Sequence, residues 1–206
     1  MKKLLTLILV LLTAQTQAQT NLYVNAAASP SGTGTSWATA YDNLTTALNA
    51  AYSGSGAYNI YVAAGIYKPT FIPTSGIARD ATFQIYRNNI KLLGGYNATT
   101  GNRDIKNNLT TLSGDIGTIG VAGDNAFHVL TLVNIPTSTT DSVVVEGFLI
   151  RDGNADYTST ILLNQNSVAT YRVTGGAIYM NQVFPNVVVR SCDFTANNAN
   201  YGGAIG

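Results

Sequence analysis

The sequence predicts an all-β protein built as a parallel β-helix, and three observations lead to this prediction. Strand-like runs are short and frequent, with Gly or Asn pairs between them, which is typical of all-β proteins. Only one segment, near the N-terminus, has the spacing of an amphipathic helix. Two segments near the C-terminus repeat each other, and repeats made of short strands are typical of stacked solenoids.

A secretory signal peptide is predicted over residues 1–18. Lys2 and Lys3 precede an apolar run over 4–12, and a short polar stretch ending in small residues follows it up to Ala18. The alternative is a transmembrane helix, but this run is much shorter than the roughly 20 residues that span a bilayer. The mature chain is therefore expected to begin near Gln19 and to be exported, either secreted or held at the cell surface or outer membrane.

Residues 19–56 are predicted to form an N-terminal strand, a loop and a capping helix. Four apolar residues share one helical face: Leu44, Ala47, Leu48 and Ala51. Asp42 is the expected N-cap and Ser53-Gly54 the expected end of the helix. This helix would cover the first coil of a β-helix that occupies residues 57–206.

The internal repeat joins VVVEGFLIRDGNA (143–155) to VVVRSCDFTANNA (187–199), 44 residues later. GGAI follows each copy, at 175–178 and 202–205, only 27 residues apart. The difference predicts an inserted loop over about 156–174. Equivalent residues of stacked coils lie above one another, which predicts three core stacks and, at a turn, an Asn stack. The core stacks are Val145/Val189, Phe148/Cys192 and Ile150/Phe194, and the turn stack is Asn154/Asn198.

A β-sandwich is the alternative architecture. It accounts for the alternation of apolar and polar residues in the strands but not for the repeat, so the parallel β-helix is preferred.

A resemblance to a known family rests on a series of motifs in order along the mature chain. They include GTGTSWATAYDNLTTALNAA (32–51), IYVAAGIYKPT (60–70), LLGGYNATTGNRD (92–104), VEGFLIRDGNA (145–155) and VRSCDFTANNANYGGAI (189–205). Together they resemble the N-terminal portion of exported right-handed parallel β-helix proteins with polymorphic outer membrane protein-type repeats, within the pectate-lyase-like fold superfamily. The resemblance implies a right-handed β-helix, and a longer protein of which this chain is an N-terminal portion. It does not specify an activity.

Composition excludes several classes of function. Lys and Arg number 11 against 10 Asp and Glu, so there is no basic surface of the kind that nucleic-acid binding requires. The single cysteine, Cys192, excludes a disulfide framework and a thiolate zinc site. Its alignment with Phe148 predicts a buried side chain rather than a reactive thiol.

Candidate residues for chemistry are few. His128, the only histidine, lies in an alternating strand with no evident partner, so a structural role is favoured. Acidic residues are scattered and Glu146 is the only glutamate, which argues against the carboxylate pairs of glycosidases. No cofactor is expected, although the Gly-rich loop at 114–125, with Asp115 and Asp124, has oxygen ligands that would suit Ca²⁺.

The inserted loop is the predicted binding element, because loops on rigid scaffolds commonly carry recognition. Tyr157, Tyr171 and Arg172 are its candidate residues, and glycans or a host or neighbouring cell surface are the expected partners. The preferred function is therefore a non-enzymatic, adhesin-like or structural surface protein. A polysaccharide-degrading lyase or glycosidase, with its site in later coils or around Asp152 and Asp193, and a carbohydrate-binding module are the alternatives.

Overall fold

The computed structural model describes residues 19–74, 76–137, 142–158, 162–165, 168–183 and 186–206, so the predicted signal peptide lies outside the described residues. The chain is predominantly β, with parallel sheets and one α-helix, and the all-β prediction is confirmed at this level. No helix in the described ranges is both long enough and apolar enough to cross a membrane.

The largest sheet has five parallel strands in the order β1-β2-β5-β8-β14. Its strands are β1 (Gln19–Val24), β2 (Ala57–Ala63), β5 (Ile90–Tyr96), β8 (Val143–Glu146) and β14 (Val187–Arg190). Neighbouring strands pair residues 38, 32, 53 and 44 positions apart in the chain. Segments far apart in sequence therefore lie side by side in this sheet.

Two further parallel sheets are built from strands that alternate along the chain with those of the five-stranded sheet. One has the order β15-β9-β6-β3 and the other the order β13-β7-β4. Their strands are β3 (Gly65–Tyr67), β4 (Phe83–Ile85), β6 (Thr110–Ser113), β7 (Leu130–Val133), β9 (Leu149–Arg151), β13 (Ile178–Asn181) and β15 (Asp193–Thr195). Along the chain, each strand of the five-stranded sheet from β2 onward is followed by one strand of the sheet β15-β9-β6-β3. This succession is compatible with a β-helix, whereas parallel pairing is foreign to the alternative β-sandwich.

The repeat seen in the sequence is also a repeat in space. Val145 is the Cα partner of Val189, and Ile150 is the partner of Phe194. Phe148 and Cys192 pack in the same core, and the amide of Asp193 donates to the carbonyl of Phe148. The two GGAI segments pair at the shorter spacing, through the bridge between Ile178 and Ile205.

The extra residues that make the spacing of the first copy longer include a hairpin. Strands β11 (Leu162–Gln165) and β12 (Val168–Tyr171) pair antiparallel, the only such pair among the named strands of the described residues. It lies where the sequence predicts the inserted loop.

Corners between strands recur with the same backbone conformation. Asp152 has φ 63° and Ala196, at the equivalent position, has φ 53°. Gly147 (φ 81°) is matched by Ser191 (φ 49°) in the same way. A Cβ on Gly94 would lie 2.4 Å from the carbonyl oxygen of Gly147, so this corner needs glycine for close backbone approach.

Asn154 and Asn198 stack, but not at a left-handed turn. They pair as the short strands β10 (Asn154–Ala155) and β16 (Asn198–Ala199), and the Asn198 amide donates to Asn154 Oδ1 at 2.8 Å. The left-handed residues are Asp152 and Ala196, two positions earlier. Asparagine at these two positions is therefore explained by the hydrogen bond between its side chains, and not by its tolerance of a left-handed backbone.

The core is formed by inward-facing strand residues and one face of helix α1 (Leu44–Ser53). All four apolar helix residues named from the sequence are buried. The N-cap is Asn43, not Asp42, because Asn43 Oδ1 accepts from the amide of Thr45 at 2.7 Å. Gly54 is the C-cap, where the helix was predicted to end.

Candidate binding face on the five-stranded sheet

Two rows of outward-facing side chains cross the five-stranded sheet. One row of paired residues on adjacent strands points into the core: Leu22, Ile60, Leu92 and Val145. The residues before and after each of them in the strand therefore point outward. The first outward row is Asn21, Asn59, Lys91, Val144 and Val188, and the second is Tyr23, Tyr61, Leu93, Glu146 and Arg190.

Amide groups at the β1 end of these rows hydrogen-bond to each other. Asn59 Nδ2 donates to Asn21 Oδ1 at 3.0 Å, and Gln19 Nε2 donates to Asn59 Oδ1 at 2.7 Å. The Tyr61 hydroxyl also lies 3.3 Å from Asn21 Oδ1. These bonds fix polar groups on the outer surface of the sheet.

Four aromatic rings form a cluster beside the amide groups: Tyr23, Trp37, Tyr61 and Tyr96. The Trp37 ring lies 5.0 Å from Tyr23 and 5.7 Å from Tyr96, centroid to centroid. Tyr61 lies 5.3 Å from Tyr23 and 5.0 Å from Tyr96. All four residues are half-buried, so the cluster packs against the protein and keeps part of its surface open to solvent.

A shallow groove of about 590 Å³ continues from this cluster across the sheet. Its charged residues are Lys91, Arg103, Glu146 and Arg190. Asn59, Leu93, Ser142, Val144 and Val188 complete its lining. Arg103 also lies over the Tyr96 ring, 5.6 Å from its centroid, which links the groove to the aromatic cluster.

Glu146 is the only acid among the described lining residues, and two arginines hold it. Arg103 lies 2.8 Å from Glu146 Oε1, and Arg190 lies 2.7 Å from Oε2. Burial opposes ionisation, but the hydrogen bonds from Arg190 and Arg103 outweigh it and lower the pKa of the Glu146 carboxyl. A general acid needs a raised pKa and a second carboxylate, so this arrangement does not suit glycoside hydrolysis.

The inserted hairpin directs its predicted binding arginine inward. Arg172 is 6% exposed, and its Nε lies 2.7 Å from Asp80 Oδ1. The hydrogen bonds to Asp80 raise the pKa of the Arg172 guanidinium. Tyr157 and Phe127 both face this guanidinium, at 5.5 Å from each ring centroid. Arg172 thus attaches the hairpin to the core, whereas Tyr171 is exposed.

His128 is buried, and it is not among the residues of the aromatic cluster or the groove. Its Nδ1 lies 2.9 Å from the carbonyl oxygen of Gly175, which requires the proton on Nδ1. Its ring packs 5.0 Å from the Tyr179 ring. Burial lowers the pKa of His128 to about 4, so the side chain is neutral over most of the pH range.

The remaining candidates are separate from one another. Cys192 is half-buried against the core, and burial raises the pKa of its thiol. Asp152 lies 2.8 Å from Arg151 and 3.0 Å from the Ser113 hydroxyl, whereas Asp193 is exposed and pairs with Leu149 in register. Within the described ranges, no three His, Cys, Asp or Glu side chains are grouped to hold a metal ion.

The aromatic cluster was not predicted from the sequence, because the repeat that indicates it is only four residues long. NLYV at 21–24 and NIYV at 59–62 repeat each other, and the structure pairs them residue for residue. Aligning these two segments would have placed Tyr23 beside Tyr61. Comparison with family models, with curated proteins and with solved structures finds no match to this chain.

Proposed function

We propose that the protein is an exported, non-enzymatic, adhesin-like binding protein that holds carbohydrate on the outer face of its five-stranded sheet. The observation that carries this proposal is the half-exposed cluster of Tyr23, Trp37, Tyr61 and Tyr96 beside a groove lined by amide and charged side chains. Strand pairing places Tyr23 beside Tyr61 and brings Tyr96 close to both, while Trp37 joins them from the loop after β1.

The proposed scaffold is a right-handed parallel β-helix. The parallel pairing and the regular return of the chain to each sheet support coils, and the resemblance of the motifs to polymorphic outer membrane protein-type repeats supports the hand. A stack of coils is stiff and would present one sheet face continuously. The apolar run at residues 4–12 after Lys2 and Lys3 supports export.

Carbohydrate suits this face for chemical reasons. Sugar rings have apolar C–H faces that pack against aromatic rings, and hydroxyl groups that need both donors and acceptors. The cluster supplies the rings, while Asn21 and the arginines of the groove supply hydrogen-bonding groups. The rigid amide network reduces the entropy lost when a ligand binds.

Binding without turnover is the proposed mode of action. Glu146 is held ionised between Arg103 and Arg190, and it is the only acid among the described residues that line the groove, so the groove itself has no pair of carboxylates for acid–base chemistry. The charged groups therefore serve to orient a ligand.

Glycan binding by matched tyrosine variants tests the proposal. The purified mature protein is screened against a glycan array, and the best ligand is titrated calorimetrically. Tyr61→Leu keeps an apolar side chain but removes a ring and a hydroxyl of the cluster, so we expect affinity to fall at least about tenfold, or about 1.4 kcal/mol. Tyr171→Leu, at an exposed position at the end of the hairpin, should leave affinity unchanged.

The opposite pattern would place the site on the hairpin and contradict the proposal, as would equal affinity of both variants and the wild type. Release of shorter or unsaturated sugars during the titration would show turnover and support the enzyme alternative. Circular dichroism of both variants establishes that the fold is retained.

A further inference from the structure

A closed loop over residues 114–126 carries two carboxylates and shares no residue with the aromatic cluster or the groove. Its ends meet where the amide of Ala126 donates to the carbonyl of Gly114 at 2.8 Å. Arg79 Nε donates to the Asn125 carbonyl at 2.7 Å, and Asn154 Nδ2 donates to the Ala122 carbonyl at 2.8 Å. The loop is therefore anchored to the rest of the fold.

Both carboxylates are turned into this loop. Asp115 Oδ2 accepts from the amide of Gly120 at 3.1 Å, and Asp124 Oδ2 accepts from the amide of Thr118 at 2.8 Å. A Cβ on Gly117 would lie 2.3 Å from the Asp124 carboxyl carbon, which shows how closely the loop backbone approaches that side chain. One oxygen of each carboxylate therefore accepts a hydrogen bond from the loop backbone.

The other oxygens of this group are buried without a hydrogen-bond donor in the described structure. These are Asp115 Oδ1, Asp124 Oδ1 and the side-chain oxygen of Asn125. Asp115 is only 8% exposed and Asn125 only 6%. Buried polar atoms normally have partners, and three acceptors without one within eleven successive residues require an explanation.

We propose that this loop binds a hard divalent cation, Ca²⁺, through Asp115, Asp124 and Asn125. All three donors are oxygens, which suit Ca²⁺ and not the softer metals that prefer nitrogen and sulfur. Backbone carbonyls and water supply the remaining ligands that Ca²⁺ needs. Two carboxylates place the affinity at the weak end, with a dissociation constant of roughly 10⁻⁴–10⁻³ M, which is typical of extracellular modules.

Lys68 is the cation that competes for this position. Its Nζ lies 4.0 Å from Asp115 Oδ1, beyond hydrogen-bonding distance, and its side chain is 40% exposed. The long side chain can move into solvent when Ca²⁺ binds. Two explanations of the buried oxygens without a donor are therefore possible. Either the charge of Lys68 alone compensates them, or a bound cation does.

Calorimetric titration and thermal unfolding with CaCl₂ test the proposal on the purified mature protein. At a Ca²⁺ concentration ten times the dissociation constant, we expect the ratio of folded to unfolded protein to rise about elevenfold. Asp124→Asn should weaken Ca²⁺ binding at least about tenfold because it removes one of two ligand charges. Asp193→Asn, at an exposed aspartate on β15, is the matched control and should bind like the wild type.

Lys68→Met decides between the two explanations, and it also serves if Asp124→Asn does not fold. A cation site predicts tighter Ca²⁺ binding in this variant, because a competing positive charge is gone. If Lys68 alone satisfies the acceptors, the variant loses stability to the same extent with and without Ca²⁺. That result, or the absence of both binding heat and a shift in melting temperature up to about 10 mM CaCl₂, overturns the proposal.

Discussion

Replacing Asp80 by alanine is expected to lower the free energy of unfolding by about 3–5 kcal/mol. Asp80 is 4% exposed, and its carboxylate pairs with both Nε and a terminal nitrogen of Arg172, at 2.7 and 2.5 Å. Removing the carboxylate leaves a buried guanidinium, beside the rings of Phe127 and Tyr157, without its counter-charge. The cost comes mainly from this uncompensated charge and less from the lost attraction.

Asp156→Ala is the matched control for Asp80→Ala. Asp156 pairs with Arg79 at 2.7 Å, but its side chain is 37% exposed, so water replaces much of the interaction. We expect a loss of about 1 kcal/mol or less, measured by urea unfolding. A third variant, Asp80→Leu with Arg172→Met, removes both charges and should recover much of the stability. Equal losses for Asp80→Ala and Asp156→Ala would contradict this account of the buried pair.

The stability of the protein is expected to fall by about 3 kcal/mol through His128 as the pH drops from about 6.5 to below about 4. Burial is the main cause of the lowered pKa of His128, and the nearby Arg172 guanidinium lowers it further. The hydrogen bond with Gly175 and the Asp80 carboxylate act in the opposite direction. Between the two pH values the unfolded chain binds a proton at His128 that the folded chain does not, so acid favours unfolding.

His128→Asn separates this effect from other acid-sensitive groups. Asparagine retains an N–H donor for the Gly175 carbonyl but does not titrate. The difference in unfolding free energy between wild type and variant should therefore shrink or reverse in favour of the variant as the pH falls from 6.5 to 4. A difference that stays constant over that range would show that His128 does not carry the pH dependence.

Sequence alone could predict those parts of the fold in which successive copies have kept their spacing. Residues 143–155 and 187–199 align without gaps, so their pairing at 44 residues follows directly. The hairpin insertion was located by the shorter spacing of the GGAI segments. Earlier strands pair at 38, 32 and 53 residues because the loops between them differ in length, and this irregularity hides the repeat.

The candidate binding face depends on that hidden part of the repeat. Tyr23 and Tyr61 share a four-residue motif, but Trp37 comes from a loop and Tyr96 follows a register shift in β5, where no pattern indicates a neighbour. Asp80 and Arg172 are 92 residues apart and meet only because the hairpin folds back on the core. Long-range polar pairs of this kind depend on tertiary packing, which local sequence patterns do not encode.

Engineered disulfides across the outer face test most directly the claim that parallel rows assemble this site. In a Cys192→Ala background, Asn21→Cys with Asn59→Cys, and Asn59→Cys with Lys91→Cys, place thiols on directly paired residues. Asn21→Cys with Lys91→Cys is the control, because two strand spacings separate these residues by about 10 Å, beyond the reach of a disulfide. The account predicts cross-links in the first two proteins and none in the third, measured by mass spectrometry after mild oxidation. A cross-link in the third protein, or its absence from the first two, would contradict the register that brings the tyrosines and the groove together.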